Sequence, residues 1–144
     1  MSFLTKIFGE QKAPTELDVS TLMLMPAVMR IGIAGKDFHQ ELETLTQVAA
    51  KSPLLIGMAP EDILAKSRVL ANIIHQKGVA TAIGMLQSNL SARQRMDAMQ
   101  LALVLVIASP LTDANDIGIL AGMSEKLGMQ SAEFDQLFVH AKVA

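Results

Sequence analysis

Apolar residues recur along most of this chain at spacings of three and four, and strict alternation of apolar with polar residues is scarce. That periodicity, with Ala, Leu, Met, Gln and Lys dominating, predicts helices rather than strands. A first amphipathic stretch covers residues 2–8, followed by a polar linker, 9–16, containing Pro14. The next helix opens near Asp18 or Ser20, either of which can cap it, and runs to about Ala34, with Gly35 as its stop. Pro26 lies inside that span and lacks an N–H, so a kink is expected there. Residues 38–51 form another helix, with Leu42, Leu45 and Val48 or Ala49 on one face, ended by Ser52-Pro53. Pro60 suits the first position of the following helix, whose stripe is Ile63, Ser67, Leu70 and Ile74 and which closes at Lys77-Gly78. A shorter apolar helix spans 79–90.

Ser91 and Gln94 have the spacing of a capping box and open a long helix. Between Ala98 and Ala108 its only polar side chain is Gln100, so it should be surrounded by other helices and form the central post. Leu103 and Ile107 lie one turn apart on it and should both be buried. The elbow Ser109-Pro110-Leu111-Thr112 ends it. Thr112 or Asp113 caps the next helix, which buries Ile117, Leu120 and Leu127 and stops at Gly128. Ser131 caps the last, with Phe134, Leu137, Phe138 and Ala141 at i, i+3, i+4, i+7. The expectation is an all-α protein: a single compact bundle of about seven helices around a buried central one, with residues 1–16 as a short helix plus linker and 17–144 as the domain.

An internal repeat accompanies this order. Residues 27–48 align without gaps on 102–123 as helix, elbow, helix, placing Leu42, Leu45 and Val48 on Ile117, Leu120 and Met123. Pro60-Glu61-Asp62-Ile63 then echoes Ser131-Ala132-Glu133-Phe134 after a small insertion. The stretch 91–138, an apolar helix, a polar elbow, an amphipathic helix stopped at Leu-Gly and a third opening with Ser-Ala-Glu-Phe, resembles the tellurite-resistance TerB-like family of small all-helical bacterial domains. The likeness is fainter over 22–72. It implies an interaction or scaffold domain in an envelope- or stress-response complex.

Typical members of that family carry Ala-Asp-Gly at the end of each long helix and an acidic residue about two turns later, a carboxylate pole implicated in divalent-metal binding. This chain departs from the pattern. Ser109 stands at one elbow Asp position and Ala34 at the other, while Glu41 and Asp116 keep the later acidic positions. Asp37 can partly compensate, but Lys36 adds a positive charge beside it. Hard cations want several oxygen ligands at once, so the expectation is no metal site. The alternative is a metal-responsive module with a degenerate acidic site and residual weak binding through Asp37, Glu41, Asp113 and Asp116.

Composition narrows the chemistry further. The chain has 144 residues, twelve Lys+Arg against fourteen Asp+Glu, and no Cys, Trp or Tyr. Without cysteine there are no disulfides and no thiolate metal sites. With a net charge of −2, no dense basic cluster and only five Phe as aromatics, a nucleic-acid surface is not expected. No nucleophile elbow, phosphate loop or dinucleotide fingerprint is present. Asp113 to Gly118 superficially matches the start of a calcium loop, but Ile117 and Ser124 fill ligand positions, and helix capping is the better reading. His39, His75 and His140 fall on three different predicted helices. No catalytic, cofactor-binding or metal-ligating residue is therefore assigned, and a non-enzymatic protein with a protein partner is expected.

Mean hydropathy is high at +0.37, yet no apolar run is long enough to cross a bilayer. Lys6 interrupts the first apolar stretch and a polar run follows it, which is not a secretory signal. A cytoplasmic location is expected, with peripheral contact to the inner membrane open through Phe3, Leu4, Ile7 and Phe8. That stripe can equally fold back over an apolar groove of the bundle.

Overall fold

The computed structural model describes residues 17–55 and 57–143. The amphipathic stretch 2–8 and most of its linker lie outside them. Eight α-helices follow in order: α1 (Val19–Leu22), α2 (Met25–Ala34), α3 (Phe38–Ala50), α4 (Pro60–Lys77), α5 (Val79–Asn89), α6 (Ala92–Ala108), α7 (Ala114–Lys126) and α8 (Ser131–Lys142). A 3-10 turn, Pro53–Leu55, precedes α4. No strand occurs among the described residues, so the all-α expectation holds.

Caps and stops follow local chemistry. The Asp18 carboxylate accepts from the Thr21 N–H at 2.8 Å and caps α1; Thr21, through its side chain first and this N–H second, holds the carboxyl below its ordinary pKa. Ser91 accepts from Gln94 N at 3.1 Å while the Gln94 carbonyl accepts from Ser91 N at 2.9 Å, the reciprocal box expected for α6. Gly35 ends α2 at φ 69°, a left-handed conformation that side chains with a Cβ rarely adopt. Two boundaries differ from expectation. Pro26 does not kink one long helix. The chain breaks after α1, and Pro26 sits in the first turn of α2, where its missing N–H has no partner to lose. Gln130 rather than Ser131 precedes α8, its N–H held by Glu133 Oε1 at 2.9 Å.

The core is made where α6 packs against α2, α3, α7 and α8, with α4 closing over α2 and α3 and with α1 and α5 against α4. Leu101, Leu103 and Leu105 of α6 are buried, as are Met25, Met29 and Met99, so these methionines fill the core. Leu45 and Leu120, paired by the internal repeat, are both fully buried, whereas Ile117 is half-buried. Arg95 ties two helix ends together, donating to the carbonyls of Leu90 at 3.1 Å and Leu127 at 3.0 Å.

α6 is not closed on every side. Ile107 is 41% exposed, contrary to its expected burial, while Leu103 is fully buried. The reason is angular. Asp97, Gln100, Val104, Ile107 and Ala108 repeat at helical spacing, and this stripe is half-buried or exposed along its length. Apolar character alone did not distinguish the covered faces from the open one.

Candidate functional site

Buried side-chain hydrogen bonds and ion pairs gather in a cluster at the two elbows, and its centre is Arg30. Its side chain is wholly buried on α2, inside the run Met25–Ala34 where every other residue is apolar. Its Nε donates to Asp116 Oδ1 at 2.6 Å and its Nη1 to Glu41 Oε1 at 2.7 Å. Both acceptor side chains are also fully buried. Its Nη2 reaches Thr112 Oγ1 at 3.3 Å, and that hydroxyl in turn donates to the Val106 carbonyl. One planar cation thus joins α2 to α3 and to α7, the geometry for which a guanidinium is suited.

The other lone pairs are also engaged. Ser109 Oγ donates to Glu41 Oε2 at 2.9 Å and accepts from Leu111 N at 3.1 Å. Asp116 Oδ2 accepts from Asp113 N at 2.7 Å, which closes the capping box of α7. Lys36, in the loop between α2 and α3, reaches across to donate to the Leu111 carbonyl at 2.8 Å and to Asp113 Oδ2 at 2.9 Å, with Asp116 Oδ2 at 3.4 Å. The hydrogen bond with Asp113 raises the Lys36 pKa, and the same bond, with a second from Asn115 N, lowers that of Asp113.

The four carboxylates named as residual metal ligands therefore have separate roles. Glu41 and Asp116 face Arg30, Asp113 caps α7 and holds Lys36, and Asp37 caps α3 by accepting from Gln40 N at 3.0 Å. A divalent cation does not fit here: the space between the two buried carboxylates is filled by a guanidinium, and Lys36 adds a second positive charge. Among the described residues no group of three or more His, Asp or Glu side chains is placed to hold a metal ion. The three histidines are exposed on α3, α4 and α8. The calcium-loop likeness at Asp113 resolves into helix capping.

Arg30 was not singled out from the sequence. The available signal was a lone charge within an apolar helix, at the position where the internal repeat places Leu105. What that charge binds depends on α7, 86 positions further along.

Beside the cluster is a shallow recess of about 530 Å³ between Ile33, Ala34 and the start of α7. A larger groove of about 850 Å³ lies between α3 and the open stripe of α6. Among the described residues no helix is long and apolar enough to cross a membrane. Set against known proteins, the chain finds no match among family models, curated proteins or solved structures. The fold and site thus define an all-α bundle whose two elbows are joined by an arginine.

Proposed function

We propose that this chain is a non-enzymatic helical interaction domain of TerB-like kind, working through protein contacts in an envelope- or stress-response complex. The observation that supports this reading is the arrangement at the elbows. The buried carboxylates available for acid–base work or cation binding are each bound to Arg30, while a stripe of α6 carrying Val104, Ile107 and Ala108 is left open by the described residues. The cluster then serves to fix the angle between the elbow helices, because one rigid fork sets the positions of α2, α3 and α7 together. Polar groups that satisfy one another in this way hold a unique arrangement but offer no free ligand set.

The test has two arms. The intact protein captured from its native cells should bring down a stoichiometric protein partner. Calorimetric titration with calcium, magnesium, manganese and zinc should give no specific heat. A melting temperature that rises with micromolar calcium and falls back with chelator would instead favour the metal-responsive alternative.

A further inference from the structure

The groove between α3 and α6 is lined by the apolar Val48, Leu54, Leu101 and Val104, by the charged Glu43, Lys51 and Asp97, and by uncharged polar side chains between them. Ile107, on the same stripe of α6, adds an exposed apolar side chain. We infer that this groove is the seat of the chain's own residues 2–8, which dock there and cover the open face of α6.

Three observations select that occupant. The first is shape and chemistry: Phe3, Leu4, Ile7 and Phe8 make one helical stripe, the pattern by which an amphipathic segment fills an apolar groove. The groove's 850 Å³ lies within the usual range of roughly 300–1,000 Å³ for sites that bury a compact apolar ligand. The second is charge. Lys6 flanks the stripe, and two of the three charged lining residues, Glu43 and Asp97, are acidic. The third is reach. The described chain starts at Leu17, just before α1, and α1 packs on α4. The first turn of α4 is joined by a short loop to the 3-10 turn that carries Leu54 of the groove lining. Asp18, at the start of α1, lies near enough to Lys66 of α4 to feel its charge. Residues 9–16 can span up to about 29 Å when extended, while the six residues from Lys66 back to Pro60 cover only about 9 Å. The same chain therefore supplies both a groove that no described element covers and a tethered apolar stripe, and tethering gives the segment a high effective concentration at the groove.

The chain lacks tryptophan, so Phe8→Trp in the full-length protein is a unique fluorescent reporter, with Phe3→Trp as its replicate. The groove is altered by Leu54→Glu, at an exposed position that carries little folding cost, and separately by Val104→Asp. The expected result is a blue-shifted emission, independent of protein concentration, that moves to the red in either groove variant while circular dichroism is unchanged. Emission indifferent to both groove substitutions overturns the inference. A blue shift that grows with protein concentration overturns it in favour of a second copy in the groove. Solvent-like emission that turns blue only with anionic phospholipid vesicles overturns it in favour of a membrane anchor.

Discussion

The two halves of the internal repeat differ in charge at one fully buried pair of positions. Arg30 in the first half aligns with Leu105 in the second, and both side chains are fully buried. The acidic residues that follow, Glu41 and Asp116, also align, and both are buried. Each half thus contributes one buried carboxylate, but only the first contributes a fully buried cation, Arg30, and that cation serves both; Lys36, also from the first half, reaches the node from its edge. A strictly symmetric pair of halves would have left either two unpaired acids or two arginines. The asymmetry makes the polar node a joint between halves rather than a feature of either.

Removing the cation and trimming its apolar counterpart should therefore cost stability for different reasons. Arg30→Met leaves two buried carboxylates without their shared partner, and a loss of about 3–5 kcal/mol is expected in urea unfolding. Leu105→Ala leaves a cavity and should cost about 2–5 kcal/mol. The distinction sharpens in combination. Arg30→Met with Glu41→Leu and Asp116→Leu removes all three charges together, and the loss should be smaller than for Arg30→Met alone. A larger loss would show that the node contributes net stability beyond avoiding unpaired charge.

The same contrast of closed and open faces runs along α6. Leu103→Ala should cost about 2–5 kcal/mol, whereas Ile107→Ala, on a face that no described element covers, should cost less, because only docked residues 2–8 can pack on it. A cost under about 1 kcal/mol for Ile107→Ala in the full-length chain would show that residues 2–8 leave that side chain open.

Ser109 and Asp113 test the node's periphery. Ser109→Ala removes a donor from a buried carboxylate and should cost about 1–3 kcal/mol. Asp113 has its pKa held below the ordinary 3.8, so its contribution is fully present above that value and is lost as pH falls through the lowered one. Lys36, raised above 10.5, contributes fully below that pH and loses its contribution as pH rises through the raised value. Unfolding midpoints of Asp113→Asn should accordingly fall less steeply than those of the native chain below pH 4. Identical acid slopes would show that the pair adds nothing measurable, the common result for exposed ion pairs.

Much of the fold was legible because its signals are local. The 3.6-residue period, the Ser91–Gln94 box and the Gly35 stop depend only on near neighbours in sequence, and the structure places them as expected. Pro26 illustrates a partial reading: proline signals a disturbance, but a kink inside one helix and a new helix opened at its first turn are both compatible with its missing N–H, and here the chain ends α1 at Leu22 and restarts at Met25. Ile107 and Arg30 were misread or missed for a common reason. An apolar residue on a mostly apolar helix does not declare which side is covered. An arginine within an apolar run does not declare whether it reaches solvent or finds partners. Both answers come from long-range packing, as the bond from Arg30 to Asp116 shows.

The central claim, that one cation is shared by the two halves, is tested most directly by a double-mutant cycle between Glu41→Gln and Asp116→Asn, read by urea unfolding. Either substitution alone leaves Arg30 with one carboxylate; both together leave it buried and unpaired. The double variant should therefore lose more than the sum of the singles, by a coupling within the roughly 0.5–3 kcal/mol seen for residues of one network. Additive losses would contradict the account and assign the two carboxylates to independent local roles.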